Sequence, residues 1–382
     1  MSGIYIHIPF CKQACSYCDF HFSTKMSSKD KMIDALCKEL KMRKASFSND
    51  QIASIYFGGG TPSVLSPIEI ERLIETVYLH YQITATPEIT LEANPDDLSE
   101  EYIKALPKTK VNRLSIGVQS FHQEDLSFMN RAHNAGQSKE ALHWVQEYFD
   151  NYSIDLIYGV PRVGMASEEQ DLLWSENVKT ALGFSPNHIS AYALTVEPKT
   201  LLDHQIKTGK LPPLDESRAH MQFNELRRLL KDAAYDHYEF SNFSKQGFHA
   251  VNNSAYWEGK PYIGIGPSAH SYDGESRSWN SASNPLYIKA ISEGTRPFEV
   301  EYLSVSERYN EYIMTGLRTS KGVELAKISA LFGQKYASYT LREAQKKIAE
   351  GHLELAHESV LKVTHSGLFF TDGIAAQLFY ID

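Results

Sequence analysis

The chain has 382 residues, and its 38 Lys and Arg against 47 Asp and Glu give a formal net charge of −9. This length accommodates two or three domains, and a composition of 42% apolar and 12% aromatic residues is sufficient for packed cores. The negative charge argues against nucleic acid as a partner, because phosphate is held first by Lys and Arg, and no run of residues approaches the roughly 18 apolar residues of an integral membrane segment.

Strand-like and helical segments alternate along the first half of the chain. Runs rich in Ile, Val and Tyr predict six strands, at residues 4–8, 52–57, 88–92, 113–117, 153–158 and 188–195. Amphipathic periodicity predicts helices between them, at residues 29–43, 67–78, 139–148 and 168–182. Ser66, followed by Pro67 and Glu69, has the residues of a capping box at the start of the second helix. The alternation predicts an α/β fold with parallel strands, either an open doubly wound sheet or a barrel.

A second unit follows a segment rich in Ser, Asn and Gly at residues 273–297, which we interpret as a connection around one short helix at residues 285–293. Later patterns predict three helices, at residues 307–318, 324–332 and 339–350. Short strands are predicted near Leu353 and Leu361, and a last helix after Gly373. Three helices and a small β-wing resemble a winged-helix module. Residues 301–382 carry nine Lys and Arg against ten Asp and Glu, which argues against DNA binding. We therefore expect an α/β domain at residues 1–272, a connecting segment at residues 273–300 and a C-terminal winged-helix-like α+β module at residues 301–382.

Three of the four cysteines, Cys11, Cys15 and Cys18, form a Cys-x-x-x-Cys-x-x-Cys loop directly after the first predicted strand. Three thiolates on one loop can bind three corners of a [4Fe-4S] cluster and leave the fourth iron open to a small molecule. The alternative is a zinc site completed by His7 or His21, although zinc sites usually pair cysteines from two separate loops. Clustered cysteines are unlike a secreted disulfide framework, and the N-terminus lacks the basic flank and apolar core of a secretory leader, so a cytoplasmic protein is expected.

The residues around this loop resemble the radical SAM superfamily, whose open iron binds S-adenosylmethionine (SAM). Residues 7–10 (His-Ile-Pro-Phe) and residues 17–20 (Tyr-Cys-Asp-Phe) are similar to the subfamily of oxygen-independent coproporphyrinogen III oxidases and the related HemW haem chaperones. The resemblance covers nearly the whole chain, including a C-terminal HemN-type domain. It implies a partial (β/α)6 TIM-like barrel, in which a reduced cluster passes an electron to SAM and a 5′-deoxyadenosyl radical abstracts hydrogen at the barrel mouth.

Several residues after the predicted strands are candidates for holding SAM. The run at residues 58–62 (Gly-Gly-Gly-Thr-Pro) lets the backbone approach a ligand, and it lacks the Lys of a phosphate loop, so a ligand loop and a plain tight turn are the alternatives. Asp155 lies in a buried strand and needs a partner, for which Arg131 is a candidate. For Gln119 alone, capping of a strand end is the simpler interpretation. The resemblance implies that SAM is bound by Tyr5, Tyr17, Gly59, Gly60, Thr61, Glu92, Gln119, Arg131, Asp155, Ala193 and His270.

Two features favour a HemW-type haem chaperone over an oxidase. The oxidases have another cysteine two residues after the last ligand, where this chain has Phe20, and a longer extension than the ten residues before Cys11. A chaperone would bind haem and transfer it to acceptor proteins, with an electron donor for the cluster. The alternative is radical oxidative decarboxylation of coproporphyrinogen III to protoporphyrinogen IX, so enzyme and carrier both stand as hypotheses.

One motif departs from the chaperones. They typically show His-Asn-x-x-Tyr-Trp, whose imidazole suits a haem iron, whereas this chain has Asn252 at the position of that histidine. His249, three residues upstream, is the candidate haem ligand after a small loop shift. His270 is the weaker alternative, because it matches a position that lines the SAM site.

Overall fold

Six parallel strands in chain order form the centre of the fold in this computed structural model, which describes residues 2–46, 50–162 and 164–381. The strands are β1 (Ser2–Ile8), β2 (Ile52–Gly59), β3 (Ile83–Ala93), β4 (Arg113–Gln119), β5 (Tyr152–Tyr158) and β6 (His188–Ala193). Each strand pairs in parallel with the next one along the chain. The six predicted strands are confirmed, and together with their helices they form the partial (β/α)6 barrel.

Helices lie between and after these strands. They are α1 (Lys29–Met42), α2 (Pro67–His80), α3 (Glu100–Ala105), α4 (Gln123–Phe128), α5 (Ala135–Tyr148), α6 (Ser167–Gly183), α7 (Leu201–Lys207) and α8 (Glu216–Asp232). The four helices that periodicity predicts are confirmed as α1, α2, α5 and α6. Ser66 caps α2 as expected, because its hydroxyl accepts the N–H of Glu69 and the Glu69 carboxylate accepts the N–H of Ser66.

Short elements extend the sheet on both sides of the barrel strands. They are β7 (Asp236–Glu239), β8 (Asn242–Ser244), α9 (Val251–Trp257), β9 (Tyr262–Ile265), β10 (His270–Tyr272), β11 (Ser276–Asn280), α10 (Asn284–Ser292) and β12 (Phe298–Tyr302). The order in the 12-stranded sheet is β12-β11-β10-β9-β1-β2-β3-β4-β5-β6-β8-β7. Residues 273–300, expected as a connection, therefore contribute strands to this sheet as well as the predicted short helix. The division of the chain into three units stays a prediction.

The first strand separates the hydrophobic core from the interior of the barrel. Ile4, Ile6 and Ile8 are buried in the main core. The alternate residues Tyr5 and His7 line a cavity. Successive side chains of a strand point to opposite faces, so one face of β1 contributes to the core and the other face lines the cavity.

The C-terminal part has its own hydrophobic core and a three-stranded sheet in the order β13-β15-β14. Its elements are α11 (Val305–Leu317), β13 (Val323–Glu324), α12 (Leu325–Phe332), α13 (Gln334–Ala349), β14 (Leu353–Ala356), β15 (Val360–Val363) and α14 (Thr371–Gln377). The predicted three helices and β-wing are confirmed. Backbone hydrogen bonds join this part to the barrel, from the N–H of Phe240 to Arg318 O at 2.8 Å and from the N–H of Ser320 to Tyr238 O at 3.0 Å. Within the described ranges, no helix combines the length and the apolar character needed to cross a membrane.

Candidate functional site

The three cysteines lie on one loop at the carboxyl end of β1. Cys11 donates its N–H to Ser23 O at 3.1 Å, and Ser23 donates its own N–H to Pro9 O at 3.0 Å, which closes the base of the loop. The thiols are free and partly exposed. Burial raises the pKa of Cys11 and of Cys18 to about 11. Thiolates at these positions therefore need a positive charge beside them, which cluster iron would provide.

Two donors from neighbouring loops contact sulfur atoms of this loop. The Thr61 hydroxyl lies 3.3 Å from Cys11 Sγ, and Arg131 Nη1 lies 3.3 Å from Cys15 Sγ. Hydrogen bonds to sulfur and nearby charge are the means by which a protein sets the potential of an iron–sulfur cluster. The donor set therefore fits a cluster bound through thiolates.

The zinc alternative depends on two histidines that already have protein partners. His7 Nε2 is hydrogen-bonded to the carbonyl oxygen of His21 at 2.8 Å, and His7 Nδ1 to the Tyr5 hydroxyl at 3.2 Å. His21 Nε2 is hydrogen-bonded to Asn284 Oδ1 at 2.7 Å. Among residues 2–46, 50–162 and 164–381, no three His, Cys, Asp or Glu side chains converge as ligands of a single metal ion. Since the three cysteines form no such group in the described residues either, the hydrogen bonds of the two histidines are what argue against zinc.

The glycine run packs against the cysteine loop. A Cβ on Gly59 would lie 2.4 Å from His7 Nδ1, and a Cβ on Gly60 would lie 2.6 Å from Phe10 O. Gly60 donates its N–H to Ile8 O at 2.9 Å. The lack of side chains thus lets two protein segments meet, a contact that neither alternative drawn from the sequence, a ligand loop or a plain tight turn, included.

Arg131 lies at the centre of the contacts beside the cysteine loop. Its Nη2 donates to Asn94 Oδ1 at 2.6 Å and to Gly117 O at 2.9 Å, and its Nη1 lies 3.4 Å from the Tyr17 hydroxyl. Burial disfavours its charge, but Tyr17 and Cys15 raise the pKa of Arg131 above its ordinary value, so the guanidinium stays charged.

The expected pairing of Asp155 with Arg131 is wrong. No ion pair joins these two side chains in the described part of the chain. The Asp155 carboxylate instead accepts hydrogen bonds from Ser115 at 3.2 Å and Ser153 at 3.3 Å. Ser115 lies on the neighbouring strand β4 and Ser153 on β5 itself, so short polar side chains solvate the carboxylate, and the nearby charge of Arg113 also favours its ionised form.

Glu92 and Asp155 are two carboxyl groups that face the interior of the barrel. The Tyr56 hydroxyl donates to Glu92 Oε1 at 2.7 Å. Burial raises the pKa of Glu92 to about 7, and burial also raises the pKa of Asp155. A cationic ligand would favour the ionised form of both groups. The ammonium and sulfonium of SAM carry such charges.

Gln119 ends β4 in a left-handed conformation, with φ of 65°. A non-glycine residue in this region is strained, and such strain concentrates at functional sites. A Cβ on Gly117 would lie 2.9 Å from Gln119 Nε2 and 3.2 Å from Arg131 Nη2. Gly117 therefore makes room for both side chains at the end of the strand.

Sequence reasoning missed three residues of the polar interior, Tyr56, Glu88 and Arg113. Arg113 is buried, and its Nε lies 3.9 Å from a carboxylate oxygen of Glu88. A signal was present, because polar side chains recur with period two inside apolar strands. These alternating residues are Glu88, Thr90, Glu92, Arg113, Ser115, Ser153, Asp155, His188 and Ser190.

A cavity of about 450 Å³ runs along β1 to the cysteine loop. Its volume lies in the range of small-molecule and cofactor sites. Residues from the strand, the loop, α9, β9 and β10 line it, among them Tyr5, Phe20, Asn252, Tyr262 and His270. Two of the predicted SAM residues, Tyr5 and His270, therefore face this cavity.

Asn252, on α9, lines the cavity, whereas His249, which precedes this helix, does not. The Glu88 carboxylate accepts the N–H of Val251 at 2.9 Å and the N–H of Asn252 at 3.1 Å, which caps the start of this helix. The His249 ring stacks on Tyr238 with 4.2 Å between ring centroids. His249 is absent from the residues described as lining the cavity. Its role as a haem ligand stays a prediction.

The remaining predicted SAM residues lie around the ends of the barrel strands. Tyr17 contacts Arg131 through its hydroxyl, and Thr61 contacts Asn94, whose Nδ2 lies 3.4 Å from the Thr61 hydroxyl. Ala193 ends β6 and pairs with Tyr158 of β5. The predicted SAM residues thus fall into two groups, one around Arg131 beside the cysteine loop and one in the cavity along β1.

Comparison with known proteins gives the same assignment over the whole chain. Residues 5–173 match the radical SAM superfamily, and residues 303–370 match the HemN C-terminal domain. The protein named heme chaperone HemW from Bacillus subtilis is 32% identical over 372 residues, with 96% of each chain covered. A mouse protein named radical S-adenosyl methionine domain-containing protein 1, mitochondrial, is 30% identical over 333 residues, with 86% of this chain and 71% of that protein covered.

Solved structures show the same fold. Coproporphyrinogen III oxidase (HemN) from Escherichia coli, a radical SAM enzyme, superposes with a TM-score of 0.83 at 22% identity, covering 99% of this chain and 89% of that one. Membership of the superfamily implies a [4Fe-4S] cluster and SAM. With the cysteine loop, the six-stranded barrel and full-length relatives in agreement, the chain belongs to the HemW family of the radical SAM superfamily.

Proposed function

We propose that this protein binds haem and transfers it to acceptor proteins. The observation that carries the proposal is the cavity of about 450 Å³ beside the cysteine loop, in a chain whose full-length relatives are named heme chaperones. Aromatic side chains at this cavity, Phe20, Tyr256 and Tyr262, suit a flat aromatic ring system. The acceptor proteins, the electron donor and a cytoplasmic location are parts of the proposal that stay predictions.

Cys11, Cys15 and Cys18 would hold the cluster through three of its irons. When bound, the cluster supplies an electron to SAM, and its open iron supplies a coordination site. Thr61 and Arg131 donate to the Cys11 and Cys15 sulfur atoms. These donors would stabilise the negative charge that the thiolates bring to the cluster.

SAM would bind between the cysteine loop and the strand ends. Glu92 and Asp155 would attract its cationic groups, and the Arg131 guanidinium would attract its carboxylate. Tyr17 would lie against the adenine, and Gln119 would donate or accept hydrogen bonds beside Arg131. Gly59, Gly60, Thr61 and Ala193 would bring backbone atoms close to the same ligand.

The test is an anaerobic reconstitution of the full chain with iron, sulfide and SAM, divided between haem and coproporphyrinogen III. The proposal predicts haem uptake at one haem per chain, followed by transfer to an apo-acceptor such as apomyoglobin. It also predicts that coproporphyrinogen III is recovered unchanged. Decarboxylated product without stable haem uptake would contradict the proposal and favour the oxidase.

A further inference from the structure

Three imidazoles, those of His7, His21 and His270, face the cavity along β1. His7 uses both ring nitrogens, towards the Tyr5 hydroxyl and the carbonyl of His21, and His21 uses Nε2 towards Asn284. No hydrogen bond or ion pair of the His270 side chain occurs within the described ranges of the chain. Its ring lies beside Trp279, with 5.8 Å between ring centroids. His270 is therefore the imidazole of this cavity with both nitrogens available.

The backbone that carries His270 is held by a buried network. Glu39 is fully buried, and its carboxylate accepts the N–H of Gly266 at 2.9 Å and the side chain of Asn280 at 2.9 Å. On the next residue, the Ser271 hydroxyl accepts the N–H of Gly264 at 3.0 Å. These contacts fix the strand on both sides of the imidazole, which is the preorganisation that a metal ligand requires.

The surroundings of His270 suit a metalloporphyrin. Phe20 is 66% exposed at the cavity, and Tyr256 and Tyr262 contribute aromatic walls. Lys260 lines the same cavity and offers a cation to a propionate group. Burial, and to a smaller extent Arg277, lowers the pKa of His270, so its ring is neutral at neutral pH and keeps a lone pair for iron.

Helix α9 contributes no imidazole to the described lining of this cavity. Asn252 lines the cavity with an amide, whose Oδ1 accepts a hydrogen bond from the Ser54 hydroxyl at 3.3 Å. His249 stacks on Tyr238 instead. We propose that His270 is the protein ligand of the haem iron rather than the SAM contact that the resemblance implies, an inference that rests on haem being the cargo of this cavity.

The test is a titration of the reconstituted full chain with ferric haem, read from the Soret band and from electron paramagnetic resonance of the haem iron. We expect the wild type to show an imidazole-bound haem. His270→Ala should lose that signature and retain haem roughly 10- to 100-fold less tightly, and added imidazole should restore the signature. His270→Met should bind haem with the altered spectrum of a thioether ligand.

His249→Ala and His204→Ala are the matched controls, because neither histidine is among the described residues that line the cavity, and both variants should keep the wild-type spectrum. An unchanged spectrum in His270→Ala would overturn the ligand assignment while leaving haem transport intact. Loss of the signature in either control alone, with His270→Ala unaffected, would also overturn it. A wild type that takes up no haem would overturn the proposed function itself, and the ligand assignment with it.

Discussion

Glu92 and Asp155 place two carboxyl groups inside the barrel, and neither has an ion pair among the described residues. Tyr56 donates to Glu92, and serine hydroxyls donate to Asp155. The same burial that raises the pKa of both groups makes the site receptive to a cation, because a bound positive charge restores their ionised form. Burial of these carboxyl groups without a cation costs folding stability, and the same burial makes them suited to recognising SAM.

Affinity for SAM should therefore rise as the pH rises through about 7, the pKa of Glu92. Below that pH the carboxyl group is neutral, so each pH unit should cost up to about tenfold in affinity. Glu92→Gln should bind more weakly and lose most of this dependence, as calorimetry at several pH values would show. The titratable and charged groups that face Glu92 are Tyr5, Tyr56, Arg113, Asp155 and Tyr192.

The exposed Glu299 on β12 provides the control, since Glu299→Gln should keep the wild-type pH profile. An equally steep profile in Glu92→Gln would assign the dependence to Asp155 and contradict the role given to Glu92.

Arg131 is a residue whose geometry matters as much as its charge. Its planar group reaches Asn94, Gly117, Tyr17 and a cysteine sulfur at once, which a lysine ammonium on a single stem does not do. Arg131→Lys should lose iron to a chelator roughly 10- to 100-fold more readily than the wild type. The exposed Arg342, mutated to Lys, should leave iron retention unchanged, and equal retention in both variants would contradict this role.

At the level of elements, the contact between the glycine run and the cysteine loop determines the shape of the cluster site. Thr61 donates its N–H to Phe10 O at 2.7 Å, directly beside the close approach of Gly60 to the same carbonyl. The periodicity that predicts β1 and β2 does not reveal this contact, because it joins residues about 50 positions apart along the chain. The glycine run at residues 58–62 was recognisable in the sequence, but its packing against the start of the cysteine loop was not.

Gly60→Ala tests this contact without straining the backbone, since the φ of Gly60 lies outside the left-handed region. The added methyl group would meet the carbonyls of Ile8 and Phe10, so we expect a loss of about 1–3 kcal/mol in the free energy of unfolding by urea and reduced iron content after reconstitution. Gly183→Ala is the control, because nothing lies within 4 Å of its added Cβ. Equal stability of the two variants would contradict the packing role.

The antiparallel strands show which elements local patterns miss. β8 and β10 contain three residues each, too few for an alternating pattern to be recognised. In the sheet, β8 pairs with β6 and β7, and β10 pairs with β9 and β11. The segment at residues 273–300, which composition predicted as a connection, likewise contains β11 and the start of β12, because tertiary pairing forms these strands.

At the scale of the whole molecule, local patterns predicted the alternating strands and helices, the C-terminal module and the cysteine loop, whereas the family resemblance gave the barrel rather than an open sheet. The cavity has no local pattern of its own. Tyr5, Asn252 and His270 meet there from distant parts of the chain, and their meeting depends on β9 pairing with β1. For the same reason, the position of His249 outside this cavity could not be predicted from its closeness to Asn252 in sequence.

The central claim is that three thiolates hold an iron–sulfur cluster whose fourth iron accepts SAM. Electron paramagnetic resonance of the reduced, reconstituted chain, recorded before and after addition of SAM, tests it most directly. The account predicts a changed cluster signal on addition, because a new ligand joins the open iron. It also predicts that Cys15→Ala shows little cluster signal in either condition. An unaltered signal in the wild type, or zinc as the purified metal, would contradict the account.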